Sequence, residues 1–113
     1  MKAHLHHTAI NVADFVWYEN FFTTLFEMTI LRTTGTAAEG NRKVWFAEGI
    51  QLNEVSMCNG IGAKIPAVDH ISLAVDNIPS AITGALKRGC SRLSEGDHWF
   101  SLPNGAKVEL KNF

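Results

Sequence analysis

Two stretches of the chain alternate apolar and polar residues with a period of two, and they are near copies of each other. The first is residues 7–14, HTAINVAD, and the second is residues 70–77, HISLAVDN. The alternation predicts two β-strands, each with an aliphatic face and a face of small and polar side chains. Each small-residue face begins with a histidine, His7 or His70. This pattern favours a concave surface with room for a bound molecule.

Each copy is followed by a predicted helix. Aromatic residues recur at helical spacing after Asp14, which predicts a helix capped by Asp14 and extending through about residue 26. In the second half, Asp76 or Asn77 caps the predicted helix and Gly89 ends it.

Three further strands are predicted in each half of the chain. They are residues 28–33, 43–47 and 50–55 in the first half, and residues 90–93, 98–102 and 106–111 in the second. Residues 59–66 contain two glycines and a proline, and we predict a linker there. The expected organisation is one domain over residues 1–113, with βαβββ module one at 1–58 and module two at 67–113.

Composition narrows the possible partners of this single domain. The 113 residues suffice for one packed core, and the net charge of -1 without a basic run excludes the electrostatic pattern of a nucleic-acid binder. No apolar run approaches the roughly 20 residues of a membrane span, and the amino terminus has no signal pattern, so we expect a soluble cytoplasmic protein. Cys58 and Cys90 form no CxxC motif and are interpreted as ordinary reduced thiols. A small neutral or anionic molecule is the expected partner.

The last strand of each module adds one polar residue to the face that carries the histidine. If Ile50 and Leu52 face the helix, Gln51 faces the other way, and the same alternation places Glu109 opposite Val108. Two imidazoles, an amide oxygen and a carboxylate form a donor set that suits Zn, Ni, Co, Mn or Fe. A single strand histidine is more often a structural residue, but the repetition in both modules favours a metal site.

Other polar and aromatic residues of the same strands are candidates for the wall of a substrate pocket. They are Asn11, Asn53, Trp45 and Trp99. The alternative for the two tryptophans is a place in the core, since aromatic residues in so small a sheet usually pack there.

These motifs resemble the vicinal oxygen chelate superfamily. The similarity rests on HTAINVxD, the helix WYENFF, IQL, DHISLAVDNI and PNGxxVEL, and it covers nearly the whole chain. The resemblance implies paired βαβββ modules in a cupped, barrel-like mixed sheet of an α+β protein, with the helices outside. It also implies a homodimer and a divalent metal held by the residues that match the ligands of the family, His7, Gln51, His70 and Glu109. The order of these ligands is most similar to methylmalonyl-CoA epimerase and glyoxalase I.

Two departures from the family pattern affect what the resemblance implies. Glu27 stands where the family usually has the glycine that ends the first helix. Arg42 and Lys43 stand near the position at which the epimerase has a second catalytic glutamate.

The expected function is that of a glyoxalase-like lyase or isomerase that uses a divalent metal to stabilise an enediolate of a small oxygenated substrate. Glu109 is the candidate catalytic base, and the alternative is that it serves only as a ligand. A second hypothesis is a metal-free binding or antibiotic-resistance protein, in which His7 and His70 hydrogen-bond a ligand or each other. A ring-cleaving dioxygenase is a third, with His98 as the spare histidine that such chemistry requires.

Overall fold

The computed structural model describes residues 1–56, 67–103 and 105–113. The predicted linker at 59–66 and Cys58 lie outside the described residues. The secondary-structure elements follow in this order: β1 (Ala3–Val12), α1 (Phe15–Thr24), β2 (Ile30–Thr34), β3 (Lys43–Phe46), β4 (Ile50–Glu54), β5 (Val68–Val75), α2 (Ile78–Lys87), β6 (Ser91–Arg92), β7 (Trp99–Ser101) and β8 (Lys107–Asn112).

The predicted α+β class is confirmed. Each half of the chain has four strands in a mixed sheet, and a helix follows the first strand of each half. By contact density the chain divides into two compact units, Thr8–Asp69 and Met1–His7 with His70–Phe113. Among the described residues, no helix is long and apolar enough to cross a membrane.

The unit Thr8–Asp69 contains the helix α1 and four strands in the order β2-β3-β4-β1, with β1 included from Thr8 onward. Strands β1 and β4 are parallel, and the other two pairs are antiparallel. The aliphatic faces of these strands pack against α1, as the alternation predicted for Ile50 and Leu52. The buried core of this unit consists of Val12, Phe15, Val44, Phe46 and Leu52.

The second unit repeats this plan with α2 and the strand order β5-β8-β7-β6. Strands β5 and β8 are parallel, and the pairs that follow are antiparallel. Its buried core consists of Val75, Ile82, Phe100, Val108 and Leu110.

Strand register confirms that the two halves are equivalent. Each last strand has a polar residue flanked by a small residue on the parallel strand and by a tryptophan on the antiparallel strand. The pairs are Ala9–Gln51 and Trp45–Gln51 in one unit, and Ser72–Glu109 and Trp99–Glu109 in the other. Gln51 and Glu109 therefore occupy matching positions, as the sequence predicted.

The two helices begin differently. Asn77 caps α2 as predicted, since its Oδ1 accepts a hydrogen bond of 3.0 Å from the Ser80 N–H. Asp14 occupies the N-cap position of α1, but its side chain makes no capping hydrogen bond. The predicted end of α1 at residue 26 was wrong, because the helix ends at Thr24.

Glu27, directly after α1, is a non-glycine residue in the left-handed region, with φ of 52°. The chain thus keeps the backbone conformation that a glycine normally supplies, at a cost of about 1–2 kcal/mol for a residue with a Cβ. The N–H of the neighbouring Met28 donates a hydrogen bond of 3.1 Å to the Phe22 carbonyl, and this bond stabilises the turn.

We expect Glu27→Gly to raise the free energy of unfolding by about 1 kcal/mol, because glycine adopts this conformation without steric strain. Urea denaturation followed by circular dichroism measures the change. Glu27→Ala is the matched control, since it removes the carboxylate but keeps the Cβ, and should give little gain. Equal gains from glycine and alanine would instead attribute the effect to the charge.

Candidate metal centre

Three side chains of the second unit bring one metal-binding atom each to a common point. They come from three strands: His7 from β1, His70 from β5 and Glu109 from β8. The His7 and His70 Nε2 atoms are 3.3 Å apart, and each is 3.6 Å from Glu109 Oε1. All three side chains are largely buried, with exposed fractions of 7%, 7% and 12%. The structure therefore assembles three of the four predicted ligands.

The spacing of these atoms fits a divalent ion. Atoms separated by 3.3, 3.6 and 3.6 Å lie on a circle with a radius of about 2.0 Å, and zinc binds imidazole nitrogen and carboxylate oxygen at about 2.0–2.2 Å. Imidazole and carboxylate together suit a borderline ion such as Zn, Ni, Co, Mn or Fe(II). The three residues can thus hold such an ion without a large rearrangement.

The protonation states of the site also favour metal binding. Burial lowers the pKa of His7 to about 4, because an imidazolium loses its hydration there, and this outweighs the opposing attraction of Glu109. Burial alone would raise the pKa of Glu109, but His70 and Lys111 are the main groups that overcome it and lower the pKa to about 2. At neutral pH the site therefore presents a neutral His7 imidazole and a carboxylate, the forms that bind metals.

The second carboxylate oxygen of Glu109 has different neighbours. Oε2 lies 3.7 Å from Lys111 Nζ and 4.0 Å from His98 Nε2, and both of those side chains are more than two-fifths exposed. The alternation of β8 places Lys111 on the same face as Glu109, a signal that sequence reasoning did not use.

His6 is a further residue of the site that the sequence analysis did not select. Its Nδ1 lies 2.7 Å from His7 Nδ1, on the side of the His7 ring opposite the three-atom cluster. Simple alternation places adjacent strand residues on opposite faces, so the pattern gave no reason to expect this contact.

Gln51, the fourth predicted ligand, lies in the unit Thr8–Asp69. It is 4% exposed, and its Nε2 donates a hydrogen bond of 2.7 Å to Asn53 Oδ1. The bond engages the amide nitrogen, so the carbonyl oxygen is the atom through which Gln51 would bind a metal. The role of Gln51 as a ligand stays a prediction.

The four predicted pocket residues have different surroundings. The Trp99 ring packs edge-on against His70, with ring centroids 4.7 Å apart. The Arg32 guanidinium lies over Trp45, 4.8 Å from the ring centroid. Asn53 accepts the bond from Gln51, and the Asn11 side chain donates to Asp69 over 3.4 Å. Of the four, Trp99 contacts the histidine cluster.

Arg42, near the position of the second epimerase glutamate, has a structural role. Its guanidinium donates to both oxygens of Glu54, at 3.0 and 2.8 Å, and its Cζ lies 4.8 Å from the Phe15 ring centroid. This bidentate pair holds the end of β4 against the loop that precedes β3.

Comparison with known proteins identifies the fold. No protein-family model and no curated protein sequence matches the chain. Among solved structures, methylmalonyl-CoA epimerase from Mycobacterium tuberculosis is similar with a TM-score of 0.67 and 17% identity, over 94% of this chain and 85% of that one. The hypothetical protein BH1468 from Bacillus halodurans C-125 has a TM-score of 0.65 and 16% identity, with coverage of 100% and 97%.

A 2,3-dioxygenase has a similar fold. The 2,3-dioxygenase LapB from Pseudomonas sp. KL28 is similar with a TM-score of 0.63 and 16% identity, over 96% of this chain and 40% of that one. At these identities the likeness concerns the fold and not the reaction. The chain has the fold of the vicinal oxygen chelate superfamily, as the motifs of its sequence indicated.

Proposed function

We propose that this protein is a divalent-metal-dependent lyase or isomerase that acts on a small oxygenated substrate. The observation that carries the proposal is the cluster of His7, His70 and Glu109, whose three facing atoms are separated by 3.3–3.6 Å. A similar structure was solved as methylmalonyl-CoA epimerase in complex with methylmalonyl-CoA and NH4+, at 16% identity. That likeness supports a small-molecule substrate for this chain.

The residues around such a site would have different roles in binding the metal and the substrate. A divalent ion bound there would act as a Lewis acid and stabilise negative charge on substrate oxygens. His7 and His70 supply neutral nitrogen donors from two strands, and the edge of Trp99 restricts the movement of the His70 ring. Lys111 and His98 flank the outer oxygen of Glu109. Two groups that can carry positive charge there favour an anionic or oxygen-rich substrate.

The properties of Glu109 support a ligand role more than a base role. A general base works best when its pKa is near the operating pH, and the pKa of Glu109 is about 2. Its Oε1 faces the histidines, so Oε2 is the atom available for a proton. Catalysis by Glu109 stays a prediction that substitution can test.

Metal analysis and a substrate screen test the proposed function together. We expect protein purified without chelator, or reloaded with Ni, Co or Zn, to hold about one ion per chain. The loaded protein should turn over a substrate among the hemithioacetal of methylglyoxal, methylmalonyl-CoA and related carbonyl compounds. Failure to bind any of these ions would refute the enzyme proposal.

Glu109→Gln separates the two roles of the carboxylate. If Glu109 is the base, the variant keeps its metal and loses turnover by a factor of about 10²–10⁴. If Glu109 is essential as a ligand, metal content and turnover fall together. Equal metal content and equal turnover in the variant and the wild type would exclude both roles.

A metal-free binding protein is the second candidate, and one observation favours it. The 3.3 Å separation of the His7 and His70 Nε2 atoms is within hydrogen-bonding distance, so one imidazole can donate to the other. The buried pair is then satisfied without an ion. Metal titration distinguishes this candidate, which predicts no uptake and direct binding of a compound such as fosfomycin.

A ring-cleaving dioxygenase is the third candidate. Two histidines and one carboxylate are the ligand set of non-haem Fe(II) oxygenases, and His98 lies 4.0 Å from Glu109. Oxygen consumption by Fe(II)-loaded protein with catechols tests this reading. Because this ligand set has only two histidines and one carboxylate, the dioxygenase candidate requires that Gln51 does not bind the metal.

We also propose that the protein is a homodimer that associates through the outer face of α1. Trp17, Phe21 and Leu25 form a stripe at helical spacing on this face, and Trp17 stacks on Phe21 with centroids 5.0 Å apart. The large apolar residues exposed by more than half here are Val16 (51%), Trp17 (53%), Leu25 (62%) and Phe26 (57%). An exposed apolar patch of this kind suits packing against the same face of a second copy.

Trp17→Glu should weaken self-association at least 30-fold, because a central aromatic residue of an interface contributes about 2 kcal/mol or more. Analytical ultracentrifugation over a concentration series measures the dissociation constant. Phe113→Glu is the matched control, since Phe113 is also exposed but lies at the other end of the chain, and it should leave association unchanged. A monomeric wild type at high concentration would rule out this dimer.

A further inference from the structure

We propose that His6 is a positioning residue that orients His7 for metal binding. The inference rests on the proposed metal site and concerns a residue outside its ligand set. His6 Nδ1 lies 2.7 Å from His7 Nδ1, and it is the shortest contact that the His7 ring makes with another ring in the described part of the chain. His7 contacts His6 through Nδ1 and His70 through Nε2. The contact at Nδ1 can therefore hold the ring while Nε2 faces the metal site.

A neutral imidazole carries its single proton on one nitrogen, and only the other nitrogen can bind a metal. His7 can bind through Nε2, which faces His70 and Glu109, only if its proton is on Nδ1. That proton needs an acceptor, and His6 Nδ1 is in place to accept it. Histidine ligands of metals usually have such a partner at the second nitrogen.

A proton on Nδ1 of His7 is also consistent with the contact between His7 and His70. When His7 donates from Nδ1, its Nε2 is an acceptor, and His70 Nε2 can donate to it across 3.3 Å. In this arrangement each close nitrogen pair of the three histidines holds one proton. For His70 to bind an ion through Nε2 as well, its proton must be on Nδ1 instead, and this change of tautomer leaves the His6–His7 bond in place.

His6 is exposed, so its substitution should not disturb the fold. His6→Leu removes the acceptor, whereas His6→Asn keeps one, because Oδ1 of asparagine is as many bonds from the backbone as Nδ1 of histidine. His4→Leu is the matched control: His4 is exposed on the same strand, and its ring contacts Phe113 with centroids 5.2 Å apart.

The first measurement is calorimetric titration of metal-free protein with Ni, Co or Zn. We expect His6→Leu to weaken metal binding by about 10–100-fold, the usual effect of losing such a partner, while His6→Asn and His4→Leu stay within a few-fold of the wild type. Equal affinity in His6→Leu and the wild type would overturn the proposal. Equal weakening in His6→Leu and His6→Asn would also overturn it, because the acceptor would then not matter.

The second measurement needs no metal. Nitrogen-15 chemical shifts of the His7 ring, recorded at neutral pH, report which nitrogen carries the proton. We expect the proton on Nδ1 in the wild type and in His6→Asn, and a shift of population to Nε2–H in His6→Leu. A wild-type proton on Nε2 would refute the role of His6. If the wild type binds no metal but shows this tautomer pattern, the proposed function fails while the orientation of His7 by His6 stands.

Discussion

Replacing His70 with alanine should remove the stabilisation that a divalent metal gives to the folded protein. An ion that binds only the folded state at 100 times its dissociation constant raises the free energy of unfolding by about 2.7 kcal/mol. His70 contributes a buried nitrogen 3.3 Å from His7 and 3.6 Å from Glu109, so its loss leaves two of the three assembled donor atoms. We therefore expect the same concentration of metal to raise the free energy of unfolding of His70→Ala by less than about 0.5 kcal/mol.

Urea denaturation of chelator-treated protein, with and without Zn, Ni or Co, measures this difference. His4→Ala serves as the control, because it removes an exposed histidine and should keep the full metal effect. Similar stabilisation of His70→Ala and the wild type would place the metal elsewhere in the chain. No stabilisation of the wild type would instead favour the metal-free candidate.

Stability without metal should fall as the pH is lowered from about 6.5 to 4, and His7 should account for much of the loss. The pKa of His7 is about 4 in the folded protein and near its ordinary value of 6.5 in the unfolded chain. Within this window the unfolded chain binds more protons, so acid favours unfolding. Since one pKa unit is about 1.4 kcal/mol, the difference between 6.5 and about 4 corresponds to about 3.5 kcal/mol at most.

Glu109 extends the effect to lower pH. Its folded pKa of about 2 lies below its ordinary value of 4.5, so its contribution is present above pH 4.5 and is lost as the pH falls towards 2. His7→Gln should reduce the dependence of the free energy of unfolding on pH between pH 6.5 and 4, and His4→Gln should leave it unchanged. Denaturant unfolding at a series of pH values, in the presence of chelator, gives the slopes. A His7→Gln profile parallel to the wild type would show that His7 is not buried in its neutral form.

Much of the fold could be predicted because hydrophobic alternation determines which side of a strand is buried. The faces assigned to Ile50, Leu52 and Val108 are those that contact the helices, and the matching register of Gln51 and Glu109 followed from the repeat. The three residues of the candidate metal site could be selected for the same reason. A duplicated pattern makes two weak signals support one another.

The remaining features depend on geometry that residue patterns do not contain. The contact between His6 and His7 joins neighbours that a regular strand would separate, and Glu27 adopts a backbone conformation that its side chain disfavours. The alternation of β8 gives the face of Lys111, but its distance of 3.7 Å from Glu109 Oε2 depends on the conformation of a long flexible side chain. Local departures from ideal backbone and rotamer geometry decide such details, and propensities describe only averages.

The small residues opposite Gln51 and Glu109 differ by a single oxygen atom. Ala9 and Ser72 are both fully buried at matching places in the parallel strand pairs, and the hydroxyl is found only opposite the carboxylate. The hydroxyl dipole favours a lower pKa of Glu109, although its oxygen makes no hydrogen bond within the described residues. A neutral amide needs no dipole at that place, whereas an ionised group does. The two repeats therefore differ at this position because only one of them has an ionised side chain opposite it. Exchanging Ser72 and Ala9 would place the hydroxyl dipole opposite neutral Gln51 and leave none opposite the Glu109 carboxylate.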